Sequence, residues 1–519
     1  MAEALGRVAA RLLSPMVGAL GPRAEQVAML EGAVRAARAL QAHGASRGAP
    51  PGPQRVALAL PPGPAFVSAL WGCWLAGAAA VPLGRGYPAP DLVHVLRSSE
   101  VCAVLASPSG SGDWGGIEAG EFAGAGQAAA SEGVEVLLLD DAPSDAPARA
   151  DGRREDLGRE VLALLESGKA AREQGALVVY TSGTTGRPKG ALWGHSNLEA
   201  QTRAMAGAWK WSPGDEILHA LPLHHVHGLI NALLTPLSVG ASVRFLDRFS
   251  ACGVWRALIE RPEISVFMGV PTMYAKLLAA WEDMPRAEQA AASAAARRLR
   301  LAVCGSAACP VPILERWRAL AGQLPLERYG MTETGMALSN PYAGERRPGS
   351  VGAPLPGVEV RVSESDELLV RGPSVFRGYL GEPEKTREAF TADGYFKTGD
   401  TVAVGKGGYF TIKGRTSADI LKVAGYKVSA LEIESKLSGL PGVAECAVVG
   451  LSDETMGQKV GVLMVWGGAG EQPTLEALQE WAAAAMPRHH LPRALRCVDA
   501  IPRNAMGKVN KVELARFFE

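Results

Sequence analysis

Along the first three hundred residues, short unbroken apolar runs alternate with stretches in which apolar side chains return every three or four places. The runs at 56–60, 101–106, 134–138, 176–180, 242–246, 264–270 and 301–304 have the length and composition of buried strands. The periodic stretches at 196–209, 272–280 and 311–321 predict amphipathic helices. Strands with helices between them predict largely parallel sheets covered on both faces. The charge-free stretch 65–81 is where a membrane span has to be considered. It is 17 residues long, contains Gly72 and Gly77 and is closed by Pro64 and Pro82, whereas a spanning helix needs about 20 apolar residues. The expectation is a buried helix running into a strand at 79–83.

From about 349 to 412 the pattern shortens to alternating segments (358–362, 367–370, 409–412) broken by Gly and Pro, which predicts an antiparallel β subdomain. After Gly414-Arg415 mixed elements return: helices at 429–438 and 475–485, strands at 445–449 and 460–465. The chain therefore divides into a large N-terminal domain of α/β layers, residues 1–415 with its β subdomain at about 349–413, and a small α+β C-terminal domain, residues 416–519. Two stretches rich in Gly, Ser, Ala and Asp, 107–133 and 140–156, read as surface loops. At the start, Leu5, Val8 and Leu12 share one helical face and Arg7 and Arg11 another, a weak likeness to an organelle presequence that an ordinary amphipathic helix explains equally well.

Composition narrows the function. The chain has 53 Lys+Arg against 53 Asp+Glu, a formal net charge of zero, which excludes the basic surface that nucleic acid or an anionic membrane would attract. Seven scattered cysteines with no Cys-x-x-Cys spacing argue against a disulfide framework or a structural zinc site.

The most informative string is YTSGTTGRPKG at 180–190, which follows the apolar run 176–180 and so leaves a sheet as a loop. Its glycines admit close backbone N–H groups, its hydroxyls donate hydrogen bonds, and Lys189 adds positive charge. A bare Gly-rich loop is usually only a turn, and the spacing of a Walker loop is absent. The whole string, however, resembles the phosphate loop of the adenylate-forming superfamily, which includes acyl-CoA synthetases. YGMTET at 329–334, YFKTGD at 395–400, Gly414-Arg415 and PRNAMGK at 502–508 resemble its later motifs in the same order. Each alone reads as a turn or a solvated charge; together they carry the resemblance.

That resemblance implies a fold and a set of roles. Thr181, Ser182, Gly183, Thr184, Thr185, Gly186 and Lys189 would hold the phosphates of ATP, Thr332 would touch phosphate, and Glu333 would hold Mg²⁺. Asp400 and Arg415 would bind ribose, and Lys508 would be the catalytic lysine of a C-terminal domain that swings after adenylation. Gly425 and Lys427, in AGYKV at 424–428, would line the channel of the CoA thiol. The superfamily usually has Asp or Lys two places after the hinge Arg; here that place is Ser417, and Asp419 is the alternative pivot. His224, His225 and His227 could suggest zinc in isolation, but no carboxylate or Cys stands near them, and the resemblance makes His225 the gate of the acyl pocket.

Arg328 precedes YGMTET, beside the implied acyl site. A guanidinium there is costly unless an anion pairs with it, and a second substrate carboxylate would do so. The alternative is that Arg328 turns toward an internal Glu. The strings MTETGMALSNPY and RPGSVG at 347–352 resemble the malonyl-CoA synthetases, with GLSDETMGQ at 450–458 similar to their animal mitochondrial branch. Ser306, in CGSAA, and Val270-Pro-Thr272 would complete the walls around substrate and adenine. The resemblance implies ligation of malonate or methylmalonate to CoA with ATP and Mg²⁺, the alternative being a short- or medium-chain monocarboxylic acid. It implies small-molecule partners, no nucleic acid and no transmembrane segment, with a monomer favoured and the mitochondrial matrix, or else the cytoplasm, as the compartment.

Overall fold

The computed structural model describes residues 24–46, 54–107, 123–139, 157, 159–161, 163–166, 175–181, 187–468, 470–503 and 509–519. The expected presequence at the start, the 140–156 loop, Ser182, Gly183, Thr184, Thr185, Gly186 and Lys508 lie outside the described residues.

The apolar runs become two seven-stranded sheets. Six strands of the first are β1 (Arg55–Ala59), β2 (Ala79–Pro82), β3 (Ala103–Ala106), β4 (Glu135–Leu138), β5 (Leu177–Tyr180) and β6 (Gly190–Trp193), and a two-residue strand from later in the chain is the seventh. Its strands lie in the order β6-β5-β2-β1-β3-β4, parallel from β5 through β4, with β6 antiparallel at one side. The second contains β7 (Glu216–His219), β8 (Ser242–Phe245), β9 (Val266–Gly269), β10 (Leu301–Cys304), β11 (Leu326–Met331), β12 (Gly335–Ser339) and β13 (Ala353–Pro354). There β8 through β11 are parallel, and β12 and β13 extend the sheet antiparallel.

The charge-free stretch is a helix, Pro64–Leu75, whose residues from Phe66 onward are all buried, followed directly by β2. Its indole Trp74 Nε1 donates to the Ala176 carbonyl at 2.8 Å, tying the helix to the sheet it covers. No helix among the described residues is long and apolar enough to cross a membrane. One expectation needs correction: within 107–133, residues Ala123–Ser131 form a helix. Its buried residues Ala125, Ala128 and Ala129 pack in the cluster with Leu92, Val95 and Leu96. Alanine has high helix propensity but leaves little apolar periodicity to read.

The β subdomain is a four-stranded antiparallel sheet, β14 (Glu359–Val362), β15 (Glu367–Arg371), β17 (Phe396–Val404) and β18 (Phe410–Arg415). Between β15 and β17 the chain sends β16 (Gly378–Tyr379) back to pair with β6 of the first sheet. The last portion forms its own sheet from β19 (Ile420–Val423), β20 (Tyr426–Ser429), β21 (Val443–Asp453), β22 (Gly457–Trp466) and β23 (Ala494–Cys497). β21 and β22 run longer than the sequence suggests because their outer residues pair while partly exposed, where no apolar pattern marks them. Helices Ala430–Leu437 and Leu475–Ala485 pack on this sheet around Ile433, Leu437 and Leu478.

One ion pair organises the entry edge of the second sheet. Asp215, just before β7, accepts from Arg300, just before β10, and from Ser212 and Ser265. Arg300 also donates to the Trp209 carbonyl and lies 5.4 Å from the ring centres of Trp211 and Tyr342. Burial tends to raise the Asp215 carboxyl, but the Arg300 and serine hydrogen bonds outweigh it and hold the group below its ordinary value. Arg300→Met leaves a buried carboxylate without its cation and should cost about 3 kcal/mol of unfolding free energy near neutral pH. Because the folded carboxyl is depressed, that difference should shrink as pH falls below about 4; urea unfolding at several pH values measures it.

Candidate active site

The carboxyl ends of β5 and β11 carry the 180–190 and 329–334 motifs, which is where open α/β sheets place ligands. The phosphate-loop string leaves β5 and returns as β6. Its neck is closed by a reciprocal pair: Thr181 N–H donates to the Lys189 carbonyl at 2.8 Å, and Lys189 N–H to Thr181 Oγ1 at 3.2 Å. Lys189 Nζ sits 4.7 Å from the ring centre of Tyr379. The Tyr379 hydroxyl donates to Glu333 Oε1 at 2.8 Å. Burial and the neighbouring Glu333 charge push this phenol far above its ordinary value, so it remains a donor.

Thr332 and Glu333 occupy the tight turn between β11 and β12. Trp193 Nε1 donates to the Thr332 carbonyl at 3.0 Å, and Phe376 N–H to the Glu333 carbonyl at 2.8 Å. Gly335 ends the turn with φ +63°, and a Cβ there would lie 1.9 Å from Gln201 Oε1, which accepts the Met336 N–H. Only glycine satisfies both conditions.

Asp400 and Arg415 are cross-strand partners on β17 and β18, joined by Nε to Oδ1 at 3.2 Å. Tyr329 donates its hydroxyl to Asp400 Oδ2 at 2.5 Å. Arg415 also reaches the Thr398 carbonyl, and its own N–H donates to Asp419 Oδ2 at 2.9 Å. Asp419 in turn pairs with Lys511 at 2.6 Å, which reaches Glu434 at 2.7 Å, so the chain after the hinge motif is tied to the last helical turn. Gly425, with φ +84°, lies in the turn between β19 and β20, and exposed Lys427 pairs with Asp366 across to the β subdomain at 3.1 Å.

At the acyl side, Arg328 is 3% exposed. Its Nη2 makes a long hydrogen bond to Ser306 Oγ, 3.4 Å, and its Nε has no partner. Among the described residues no carboxylate pairs with it: the adjacent Glu327 turns away and accepts the Gly349 N–H at 2.9 Å. Burial pushes the guanidinium down to about 10, leaving it charged at neutral pH. A Cβ on Gly305 would lie 2.6 Å from its Cζ, so the backbone there is bare to let the guanidinium plane in. Ser306 holds φ +69°, an unusual conformation for a side chain-bearing residue, on an exposed bend.

The imidazole that meets Ser306 is His227, whose Nδ1 lies 3.1 Å from Ser306 Oγ. Burial above all, with the Arg328 charge, pushes His227 well below its ordinary value, so it is neutral. His225 is half-buried and lies 4.2 Å, ring to ring, from His224, which burial lowers to about 4. No cluster of three metal-ligating side chains occurs among the described residues. Sequence reasoning named His227 but gave the acyl side to His225, and it missed Tyr379 and the role of Tyr329 as the Asp400 donor; Tyr329 is inside a quoted motif, whereas Tyr379 is a lone polar residue with no local pattern.

The pattern of AMP-binding enzymes matches residues 28–380, and that of the AMP-binding enzyme C-terminal domain matches 432–508. The chain belongs to the AMP-binding enzyme family. Within this family it is 43% identical over 498 residues to the malonate–CoA ligase ACSF3, mitochondrial, of Bos taurus, covering 89% of this chain and 81% of that one. It is 41% identical over 491 residues to the malonate–CoA ligase of Arabidopsis thaliana, covering 90% and 78%. Among solved structures, ATP-bound MatB from Rhodopseudomonas palustris matches with a TM-score of 0.79 at 32% identity, covering 94% of this chain and 92% of that one.

The Glu327 carboxyl, next to Arg328 in the chain, is raised by burial to about 8, the Gly349 hydrogen bond opposing the shift. The folded chain therefore holds a proton that the unfolded chain releases near pH 4.3, and stability falls as pH rises between these values. Glu327→Gln, which keeps an acceptor for Gly349, should flatten that part of the pH–stability profile and be more stable than the parent at pH 8.5; thermal melts across pH 5–9 read it out.

Proposed function

We propose that this AMP-forming acid–thiol ligase joins malonate, and methylmalonate with its identical carboxylate spacing, to CoA. The observation that carries this reading is the buried Arg328 guanidinium, which has no carboxylate partner among the described residues. A charge so placed costs several kcal/mol unless something anionic enters with the substrate. The distal carboxylate of a short dicarboxylic acid supplies that anion in bidentate geometry. The malonate–CoA ligase names of the Bos taurus and Arabidopsis thaliana relatives support the same reading.

In the first step an oxygen of the proximal carboxylate attacks the α-phosphorus of ATP, forming a C–O–P bond as the bond to pyrophosphate breaks. The attacking group is already an anion, so alignment and charge neutralisation carry catalysis rather than a general base. In the second step the CoA sulfur attacks the acyl carbonyl and AMP leaves. Lys189, Thr332 and the 181–186 string serve the phosphates, Asp400 and Arg415 the ribose, and Lys508 the transferring phosphorus. His225 and Ser306 flank the acyl group, and Gly425 and Lys427 serve the incoming thiol. Mg²⁺ fits Glu333, a single buried carboxylate with one oxygen already held by Tyr379, because this cation takes few protein ligands when phosphates supply the others. When bound it offsets charge on the departing pyrophosphate. Residues 416–519 are the proposed swinging unit, with 1–415 as its base; the proposed compartment is the mitochondrial matrix, and the name of the Bos taurus relative supports the organelle.

Arg328→Met should lower kcat/KM for malonate at least 100-fold while leaving butyrate within a few-fold, measured as pyrophosphate release and thioester formation. Unchanged malonate turnover would remove Arg328 as the partner of the distal carboxylate. Tyr379→Phe keeps the ring under Lys189 but frees Glu333. Loss of one hydrogen bond to a charged group should slow pyrophosphate release roughly 10- to 100-fold without a change in melting temperature.

A further inference from the structure

Residues His227–Leu234 form a π-helix, all of them buried. Such helices are rare, and those that persist are frequently found at functional sites. Two of its residues are polar, His227 and Asn231. Asn231 is 0% exposed, and neither its Nδ2 nor its Oδ1 has a hydrogen-bond partner. A primary amide offers two donors and an acceptor oxygen, and burying it unpaired is unfavourable; a leucine here would carry no such penalty.

Neighbouring buried polar groups are better served. Gln201 is engaged at both ends by Met336, and Thr235 donates to the Ile230 carbonyl. Asn231, by contrast, has both ends of its amide open. Asn231 is four residues after His227, just under one π-turn, and so shares its face of the helix. On that face His227 Nδ1 reaches Ser306, which Arg328 also contacts, while His227 Nε2 and Arg328 Nε both lack partners. Open polar atoms therefore occur both on Arg328 and on the helix face that His227 shares with Asn231.

The geometry points to Asn231 as a specificity-determining residue of the acyl pocket, its Nδ2 donating to the distal carboxylate oxygen that Arg328 leaves uncovered. This rests on the dicarboxylate reading above and deepens it. The same amide disfavours a hydrocarbon tail, which would bury it against methylenes with nothing to accept its protons. Arg328 supplies the charge and Asn231 tests for a second acceptor at the right depth.

Asn231→Leu, close in volume, separates this role from packing. The expected result is a melting temperature equal to or above that of the parent, with kcat/KM for malonate down roughly 10- to 100-fold and the malonate-to-butyrate preference reduced by at least tenfold. Asn231→Asp, isosteric, should abolish malonate turnover through like-charge repulsion at unchanged ATP KM for residual substrates. It provides the readout if the leucine variant does not fold. An unchanged malonate-to-butyrate ratio in Asn231→Leu, or malonate turnover within twofold of the parent in Asn231→Asp, would overturn the assignment. Arg328→Met in parallel separates the failures. If it loses malonate while the Asn231 variants do not, only the Asn231 role falls; if it too keeps malonate, the pairing of Arg328 with the distal carboxylate falls with it.

Discussion

The indole of Trp193 and the phenol of Tyr379, carried by adjacent strands at one edge of the first sheet, hold the turn that leaves β11 in the second. Through that turn the two sheets are tied to each other, and the tie decides which side chains meet. Lys189 arrives from the first sheet and Glu333 from the second, and Tyr379 touches both. Because the bonds are made to backbone carbonyls of Thr332 and Glu333 as well as to a side chain, the registry does not depend on any one motif residue. The cross-strand pair Asp400–Arg415 joins the same frame through Tyr329, which lies on β11 three residues before Thr332 opens the turn.

Much of this was legible in the amino-acid sequence, and for a physical reason. A phosphate loop needs glycine, hydroxyls and a cation within a few consecutive residues, so its chemistry is written locally. Buried parallel strands are equally legible, since both faces are apolar; the strand expected at 301–304 and the helix at 311–321 match Leu301–Cys304 and Val311–Ala321. What escaped was polarity that acquires meaning only in three dimensions. Tyr379 stands beside Lys189 because a two-residue strand returns to β6 after almost two hundred residues. His227 and Asn231 sit in an apolar run, where the neighbouring His225 draws the eye and nothing local marks which imidazole meets Ser306. The helix Ala123–Ser131 escaped for the opposite reason, having almost no large side chains to set a period.

A formal charge of zero conceals strongly uneven placement. Most ion pairs are closed within the protein, as at Arg300–Asp215 and Lys511–Asp419, and contribute nothing to a ligand. Arg328 is the contrasting case, charged, buried and open. Overall balance and local imbalance coexist because the field of a cleft is set by its few unpaired groups.

The bare backbone at Gly305 couples two positions of the chain. A Cβ at that position would stand 2.6 Å from Cζ of Arg328, so the two positions are not free to vary separately. Any side chain at 305 would displace the guanidinium end of the arginine from where it now lies. The depth at which this charge sits is therefore set by the backbone opposite it as much as by the strand that carries it.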